Sequence, residues 1–419
     1  VCDAGRTRSK SKNVCGMPPI KYRIDCEKYA VISNFEKRGW QRTSGSDWNI
    51  YWAPVAVVQK MFAIGSKSRP TDAQIVNHFP NHYELTRKDL IVRNMRKYRK
   101  DLEAKNSIFC RPDPETGKAY IDFIPLTYLL PSESTMFAEE LKGNKKTPFI
   151  LKPAGSAQGR GIELISRMAQ FKKWQVSQAN SRTIYLASKY INRPLLVGNK
   201  KFDIRMYVLV TSYSPLKAYI YQHAFCRFCT VEYSLDPGDL SNPFVHLTNV
   251  AVQKHGEAYN SRHGGKWDIE NLKLYISAHY GYEAVNKCFE KILFTLIHSL
   301  KAVQSSMVFS KSSFECYGYD ILIDERLHPW LLEVNASPSL TCSTDADRLM
   351  KCKLLDDVLK IIIPRNFPPP EGSNNNAKRT VNVEDVEDTG DFSLLIDEFK
   401  NPNAANEGWI YCSGALSSK

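Results

Sequence analysis

The chain has 419 residues, a formal net charge of +13 and 43% hydrophobic residues, enough for a large core in two or three subdomains. No apolar run is long enough for a membrane span or a secretory signal. The eleven cysteines are odd in number and lack a framework spacing, which excludes a disulfide scaffold and fits the reducing cytoplasm. The charge is uneven: residues 366–419 hold nine Asp and Glu against four Lys and Arg, a net −5, so the remainder carries +18, a field that favours acidic partners. No DNA- or RNA-binding motif accompanies it, so nucleic acid is not the expected partner, and neither is a membrane.

In chain order, residues 1–26 read as a disordered basic leader that starts without methionine, and 27–146 as a compact N-terminal α/β domain. That domain contains a basic helix from about Thr86 to Glu103 with Arg87, Lys88, Arg93, Arg96, Lys97, Arg99 and Lys100, either a solvated face or a contact for an acidic polymer. Residues 147–363 read as two α+β subdomains. After Ile363 a Pro/Asn-rich linker leads to an acidic tail, largely disordered by composition, over 364–419.

Phe149–Leu151 is a short strand ending at Lys152, and a loop of small residues containing Gln158, Gly159, Arg160 and Gly161 runs into a second strand at Ile162. Such a loop lets backbone N–H groups approach an anion, with Lys152 as a point charge, although a plain glycine hairpin reads the same way. It is neither a Walker loop nor a dinucleotide fingerprint, because a strand follows it. Ser188-Lys-Tyr-Ile191 lies at a polar bend between apolar runs, able to offer backbone groups to a purine edge. Lys201, Asp203 and Arg205 alternate with Phe202, Ile204 and Met206, which predicts a half-buried strand with one charged face. Val285, Phe289, Ile292, Leu296, Leu300 and Val303 mark a core-facing helix stripe. Cys226-Arg-Phe-Cys229 is the only C-x-x-C and lacks the partner pair a zinc site needs.

Gly318–Ile323 and Trp330–Val334 are apolar runs joined by the polar Asp324–His328, which predicts a hairpin. Glu333 and Asn335 share one face, and antiparallel pairing can bring Asp320 opposite Glu333. Two carboxylates and an amide suit a hard cation such as Mg2+. A buried structural hairpin satisfies the same spacing.

The phrases Phe202-Asp-Ile-Arg-Met-Tyr-Val-Leu-Val210, His246-Leu-Thr-Asn-Val250 and Tyr317-Gly-Tyr-Asp320 resemble the tubulin tyrosine ligase-like family, over roughly residues 28–360. Asn34–Trp40, Val76–Lys88 and Phe225–Val231 look most like members that serve as the catalytic subunit of a tubulin polyglutamylase complex. The resemblance implies an ATP-grasp fold, two α+β subdomains gripping ATP, with a smaller N-terminal α/β domain. It implies ATP contacts at Lys88, Lys152, Gln158, Gly159, Ser188, Lys189, Tyr190, Ile191, Lys201, Asp203, Thr248 and Asn249, and Mg2+ ligands Asp320, Glu333 and Asn335. It further implies amino-acid contacts at Arg227, Lys266 and Lys351, and catalytic roles for Lys201, Arg205 and Glu333. Arg160 departs from the lysine usual between the two glycines but keeps the charge.

The activity so implied is ATP-dependent ligation of free L-glutamate to glutamate side chains in acidic tubulin tails through an acyl phosphate. The expected location is the cytoplasm and cytoskeleton, with the cilium or flagellar axoneme and basal body, and accessory subunits aid targeting. A family member using glycine or tyrosine, or a non-catalytic microtubule-binding protein, is the alternative. The absence of H-R-D and D-F-G triplets removes a protein kinase.

Overall fold

A computed structural model describes residues 19–112, 117–144, 147–260, 265–341, 344–363, 367–368 and 386–403. The chain opens with a parallel sheet ordered β2-β1-β3-β4, built from β1 (Lys21–Ile24), β2 (Gln41–Arg42), β3 (Ile50–Trp52) and β4 (Ile75–Val76). Helices α1 (Tyr29–Lys37) and α2 (Val55–Phe62) lie between its strands. Two further helices, α3 (Tyr83–Thr86) and α4 (Lys88–Ala104), lead into a second sheet. This sheet is antiparallel, ordered β5-β8-β6-β7 from β5 (Thr127–Leu130), β6 (Phe149–Pro153), β7 (Glu163–Ile165) and β8 (Tyr185–Lys189). Helices α5 (Ser134–Gly143) and α6 (Met168–Ser177) cover it around Phe137, Phe149 and Phe171.

The third sheet carries β9 (Leu196–Val197), β10 (Lys200–Tyr213), β11 (Leu216–Tyr221), β12 (Phe225–Phe228), β13 (Lys266–Asp268), β14 (Glu315–Ile323), β15 (Pro329–Asn335) and β16 (Phe392–Asp397). Short helices α7 (Pro243–His246) and α8 (Val250–Gln253) and longer ones α9 (Ile269–Tyr280), α10 (Tyr282–Gln304) and α11 (Asp345–Ile362) complete the described fold. The long strand β10 organises this sheet. Its first half lies between β12 and β14, and its second half between β11 and β14.

Alternation along β10 sends Ile204, Met206, Val208 and Val210 to one face, where they pack with Phe289, Ile292, Leu296 and Leu300 of α10 and Ile91 and Met95 of α4. The other face is divided. Tyr207 and Leu209 pack with Leu355, Val358 and Leu359 of α11 and with Tyr22, Ile24 and Ile50 of the first sheet, while Lys201, Asp203 and Arg205 occupy the end that α11 leaves uncovered. Both flanks of β10 are therefore covered, and Lys201, Asp203 and Arg205 are all buried. The expected half-buried strand is a central one.

Three expected boundaries change. Lys21–Ile24 is an inner strand of the first sheet, because Tyr22 and Ile24 fill its core, so the leader does not extend to residue 26. Strand β5 pairs with β8, so a boundary at 146/147 cuts through the second sheet. In the expected acidic tail, β16 pairs with β11 and buries Phe392, Leu395 and Ile396, apolar residues that the surrounding charge concealed. The remaining leader, most of the linker and the end of the tail lie outside the described residues.

If β16 is structural, Ile396→Ala should lower unfolding stability by about 2–5 kcal/mol, read as a lower urea midpoint at unchanged slope. A change within error would show that the strand is dispensable.

Candidate active site

The second and third sheets face each other across a cleft. One wall is Lys152 at the end of β6, the loop Ser156–Arg160 and the bend Ser188–Ile191; the other includes Lys201, Asp203, Asp320 and Glu333, with His246–Asn249 at the rim. Every residue expected to contact ATP lines this cleft. Lys88, at the start of α4, joins the walls: its Nζ donates to the Ser156 carbonyl at 3.0 Å and lies 3.1 Å from Glu333 Oε2. In the loop, Gln158 and Gly159 both have positive φ (64° and 77°), and a Cβ at Gly159 would come within 3.1 Å of Val252 and 3.4 Å of Asn249 Oδ1. Glycine is required there by conformation and by space. A non-glycine residue held in the left-handed region, as Gln158 is, costs backbone energy of the kind found at ligand clamps. At the bend, the Lys189 and Tyr190 N–H groups already bond to the carbonyls of Leu126 and Pro148, so a purine edge would have to use other groups.

Strand register produces the chemistry on the opposite wall. Lys266 pairs with Arg227, and Arg227 with Asp203; two residues along β10, Arg205 pairs with Asp320, and Asp320 with Glu333. Directly opposed residues point to the same side of a sheet, so five strands contribute one row of charge. Within it, Arg205 Nε donates to Asp320 Oδ1 at 2.6 Å. Arg227 Nε donates to Asp203 Oδ1 at 2.8 Å, and Arg227 Nη2 bonds to Oδ2 of both Asp203 and Asp320. Thr248 Oγ1 donates to Asp203 Oδ2 at 2.7 Å. Burial alone would raise the Asp320 pKa, but the guanidiniums of Arg205 and Arg227 outweigh it and hold the carboxyl well below the usual carboxylate range.

Arg205, Arg227, Lys266, Lys351 and Asn335 stand behind the cleft walls rather than in them. Arg205 spends its contacts on Asp320 and thus orients a carboxylate. The fork of Arg227 expected for a substrate is occupied by Asp203; only its Nη1 has no partner among the described residues. Asn335 Nδ2 donates to the Gly318 carbonyl and to Glu333 Oε1, each at 3.4 Å. Lys266 and Lys351 converge on Asp347. Asp347 was not among the expected residues, though an acid four positions before Lys351 on a helix is the signal that could have found it.

Sequence reasoning also missed the support around Lys201. Its Nζ donates to Tyr190 Oη and to the His246 carbonyl, both at 2.9 Å, and Tyr190 Oη also bonds His246 Nδ1. Loss of water lowers His246 to about 4, with Lys201 adding to the effect, so this imidazole is neutral at physiological pH. Burial pulls both Lys152 and Lys201 down to about 8, the first against the attraction of Glu333 and the second against that of Cys229 and Asp203. Cys226 and Cys229 are buried free thiols. Among the described residues no three His, Cys, Asp or Glu gather as a metal cluster, and no helix is long and apolar enough to cross a membrane.

A cleft gripped between two α+β units, with a lysine on each wall and the Asp320–Glu333 hairpin in one of them, is the arrangement of an ATP-grasp ligase. The model of the tubulin-tyrosine ligase family matches residues 65–371, and the chain belongs to that family. It is similar to a probable alpha-tubulin polyglutamylase of Tetrahymena thermophila, 45% identical over 389 residues, 90% of this chain and 93% of the relative. Probable tubulin polyglutamylases of Caenorhabditis elegans and Bos taurus are 38% and 36% identical, over 79% and 77% of this chain and 77% and 75% of theirs.

If Lys152 and Lys201 hold nucleotide phosphates, the bound anion restores the proton to lysines whose pKa has been lowered. Binding therefore takes up protons above pH about 8, and affinity holds below that pH and falls as pH rises through it. Titration with a fluorescent ATP analogue should show affinity dropping by up to about tenfold per pH unit for each lysine. A flat profile through pH about 9.5 would reject the assignment of these lysines to phosphate.

Proposed function

We propose that this chain is a tubulin polyglutamylase, which uses ATP and Mg2+ to join free L-glutamate to glutamate side chains of tubulin tails. The observation that carries this reading is the row of charge that starts in the cleft wall and continues behind it. It runs from the Asp320–Glu333 pair, through the arginine–aspartate network, to Lys266, which supports a phosphate end and a carboxylate end on one sheet face. The relatives' names supply tubulin and glutamylation.

The donor set fits Mg2+. Glu333 lines the cleft, Asn335 sits two residues along the same strand with its amide against Glu333, and Asp320 is ionised directly opposite Glu333. Oxygen ligands with one or two carboxylates, completed by substrate phosphates, are the usual arrangement for this ion. When bound there, Mg2+ would screen charge on the transferring phosphoryl group.

The chain's own residues supply the remaining work. Lys152, Lys201 and Lys88 hold the phosphates in line with the acceptor. The acceptor γ-carboxylate attacks the γ-phosphorus, forming a P–O bond as the bond to ADP breaks. The glutamate amine then attacks the acyl carbon, losing one proton as phosphate departs. Arg205 and Arg227 keep Asp320 ionised throughout, and Arg227 Nη1, Lys266 and Lys351 would meet the donor's carboxylates.

The basic body draws the acidic tail toward this site, and the site of action is the microtubule cytoskeleton, including the axoneme and basal body. The acidic C-terminal segment opposes binding to that lattice, so accessory subunits aid targeting.

Glu333→Gln should lower incorporation of labelled glutamate into purified tubulin by about a thousandfold or more, with the fold intact by circular dichroism; normal turnover would sink the metal reading. A labelled amino-acid screen should select glutamate over glycine and tyrosine. Raising salt from about 0.05 to about 0.3 M should raise KM for tubulin and leave KM for ATP nearly unchanged; equal effects on both would show that the body's charge does not recruit tubulin.

A further inference from the structure

The two lysines at the far end of the charged row come from distant elements. Lys266 is on the edge strand β13 and Lys351 in the second turn of α11, yet both meet one side chain. Lys266 Nζ is 3.0 Å from Asp347 Oδ1, and Lys351 Nζ is 2.9 Å from Asp347 Oδ2. Lys351 also donates to the Thr341 carbonyl at 2.6 Å, and Lys266 Nζ lies 4.7 Å from the centre of the Phe225 ring. Asp347 and Lys351 are buried, at 6% and 4% exposure. Thr344 Oγ1 accepts from the Asp347 N–H and fixes the helix start from which the carboxylate projects.

We propose that Asp347 is a positioning residue of the amino-acid subsite, holding Lys266 and Lys351 side by side so that both can engage the carboxylates of the incoming amino acid. This rests on the donor reading given above. Two ammonium groups this close, shielded from water, repel each other, and the cheapest relief is for one to move away or shed its proton. One carboxylate between them removes that incentive. The lysine pair and Asp347 together keep a net +1, whereas Arg227 is neutralised by Asp203. The groups facing Lys266 are Asp347 and Lys351 from α11, Arg205 from β10, and Arg227 from β12, the register partner of Lys266; Tyr207 lies near Asp347. Burial lowers the Lys266 pKa, and Asp347 is the main group opposing that shift.

Charge counting and positioning predict opposite signs. Removing an acid makes the subsite more positive, which on charge alone tightens binding of a dicarboxylate; loss of positioning weakens it. The test is calorimetric titration of L-glutamate into the full chain saturated with a non-hydrolysable ATP analogue. Asp347→Asn should weaken glutamate binding by roughly 30-fold and leave nucleotide affinity within about twofold. It should also move the alkaline loss of glutamate binding to lower pH, because Lys266 then gives up its proton earlier. Asp347→Glu, which keeps the charge and lengthens the arm, should weaken glutamate binding less and leave its pH profile in place. Unchanged or tighter binding by Asp347→Asn, or an equal loss of nucleotide affinity, overturns the proposal. If that variant does not fold, wild-type glutamate affinity in Asp347→Glu overturns it instead. A wild-type chain that binds another amino acid and not glutamate overturns the donor reading alone, and the same variants titrated with that amino acid test Asp347. Binding of no amino acid overturns both.

Discussion

The Asp320 carboxylate, 1% exposed and held between two guanidiniums, is the constraint on which the site depends. An isolated charge at that depth would take a proton. Asp203, Arg227, Asp320 and Arg205 together carry no net charge, and each carboxylate receives donors along both oxygens, so desolvation is offset within the group. Such a network adds little net stability over an apolar core, but removing one member leaves a buried charge at a cost of about 3–5 kcal/mol. Its benefit is placement. The same contacts that keep Asp320 ionised also fix it opposite Glu333, and they are possible only at one register of β10 against β12 and β14. A slip of one residue would turn Asp203 and Arg205 toward α10 and bring Ile204 and Met206 to the cleft.

The cleft lysines are treated in the opposite way. Lys201 donates only to neutral oxygens, those of Tyr190 and His246, and the Lys152 ammonium has no hydrogen bond or ion pair among the described residues. Their pKa values, lowered to about 8, cost the fold stability below that pH, a cost that fades as pH climbs toward the ordinary 10.5. Fully paired carboxylates beside incompletely paired lysines are what a site for a polyanion requires. Acids locked by arginine stay ionised whether or not a ligand is present, while the lysines keep capacity for an anionic partner.

Much of this was legible in the sequence because alternation along a strand is a strict geometric rule. Lys201, Asp203 and Arg205 announced one charged face, and Glu333 with Asn335 another. The hairpin from Gly318 to Asn335 was readable because polar turn residues interrupt two apolar runs, and the α10 stripe because its period is helical. What stayed hidden depends on partners far away in the chain. That Arg227 spends its fork on Asp203, and Arg205 its own on Asp320, follows from strand order, which alternation does not encode. Strand β16 was masked by the acids around Phe392–Asp397, and the join between β5 and β8 by the 54 residues that separate Leu130 from Tyr185.

Helix α11 shows how the three sheets come to act as one site. Its apolar face, with Leu355, Val358 and Leu359, lies between the first sheet and the apolar half of the third, so the first sheet contributes to the site by fixing a helix rather than by reaching into the cleft. The N-terminal turns of that helix carry Asp347 and Lys351 to the end of the charged row. Lys88 makes the corresponding link on the other side, joining α4, the phosphate loop and Glu333 through one ammonium group. A charged contact between elements anchored in different cores thus stands in the cleft at Lys88 and another behind its wall at Asp347. The lysines at these seams lie between separate elements, while Asp320, whose charge is fixed by two arginines, sits in the middle of a sheet.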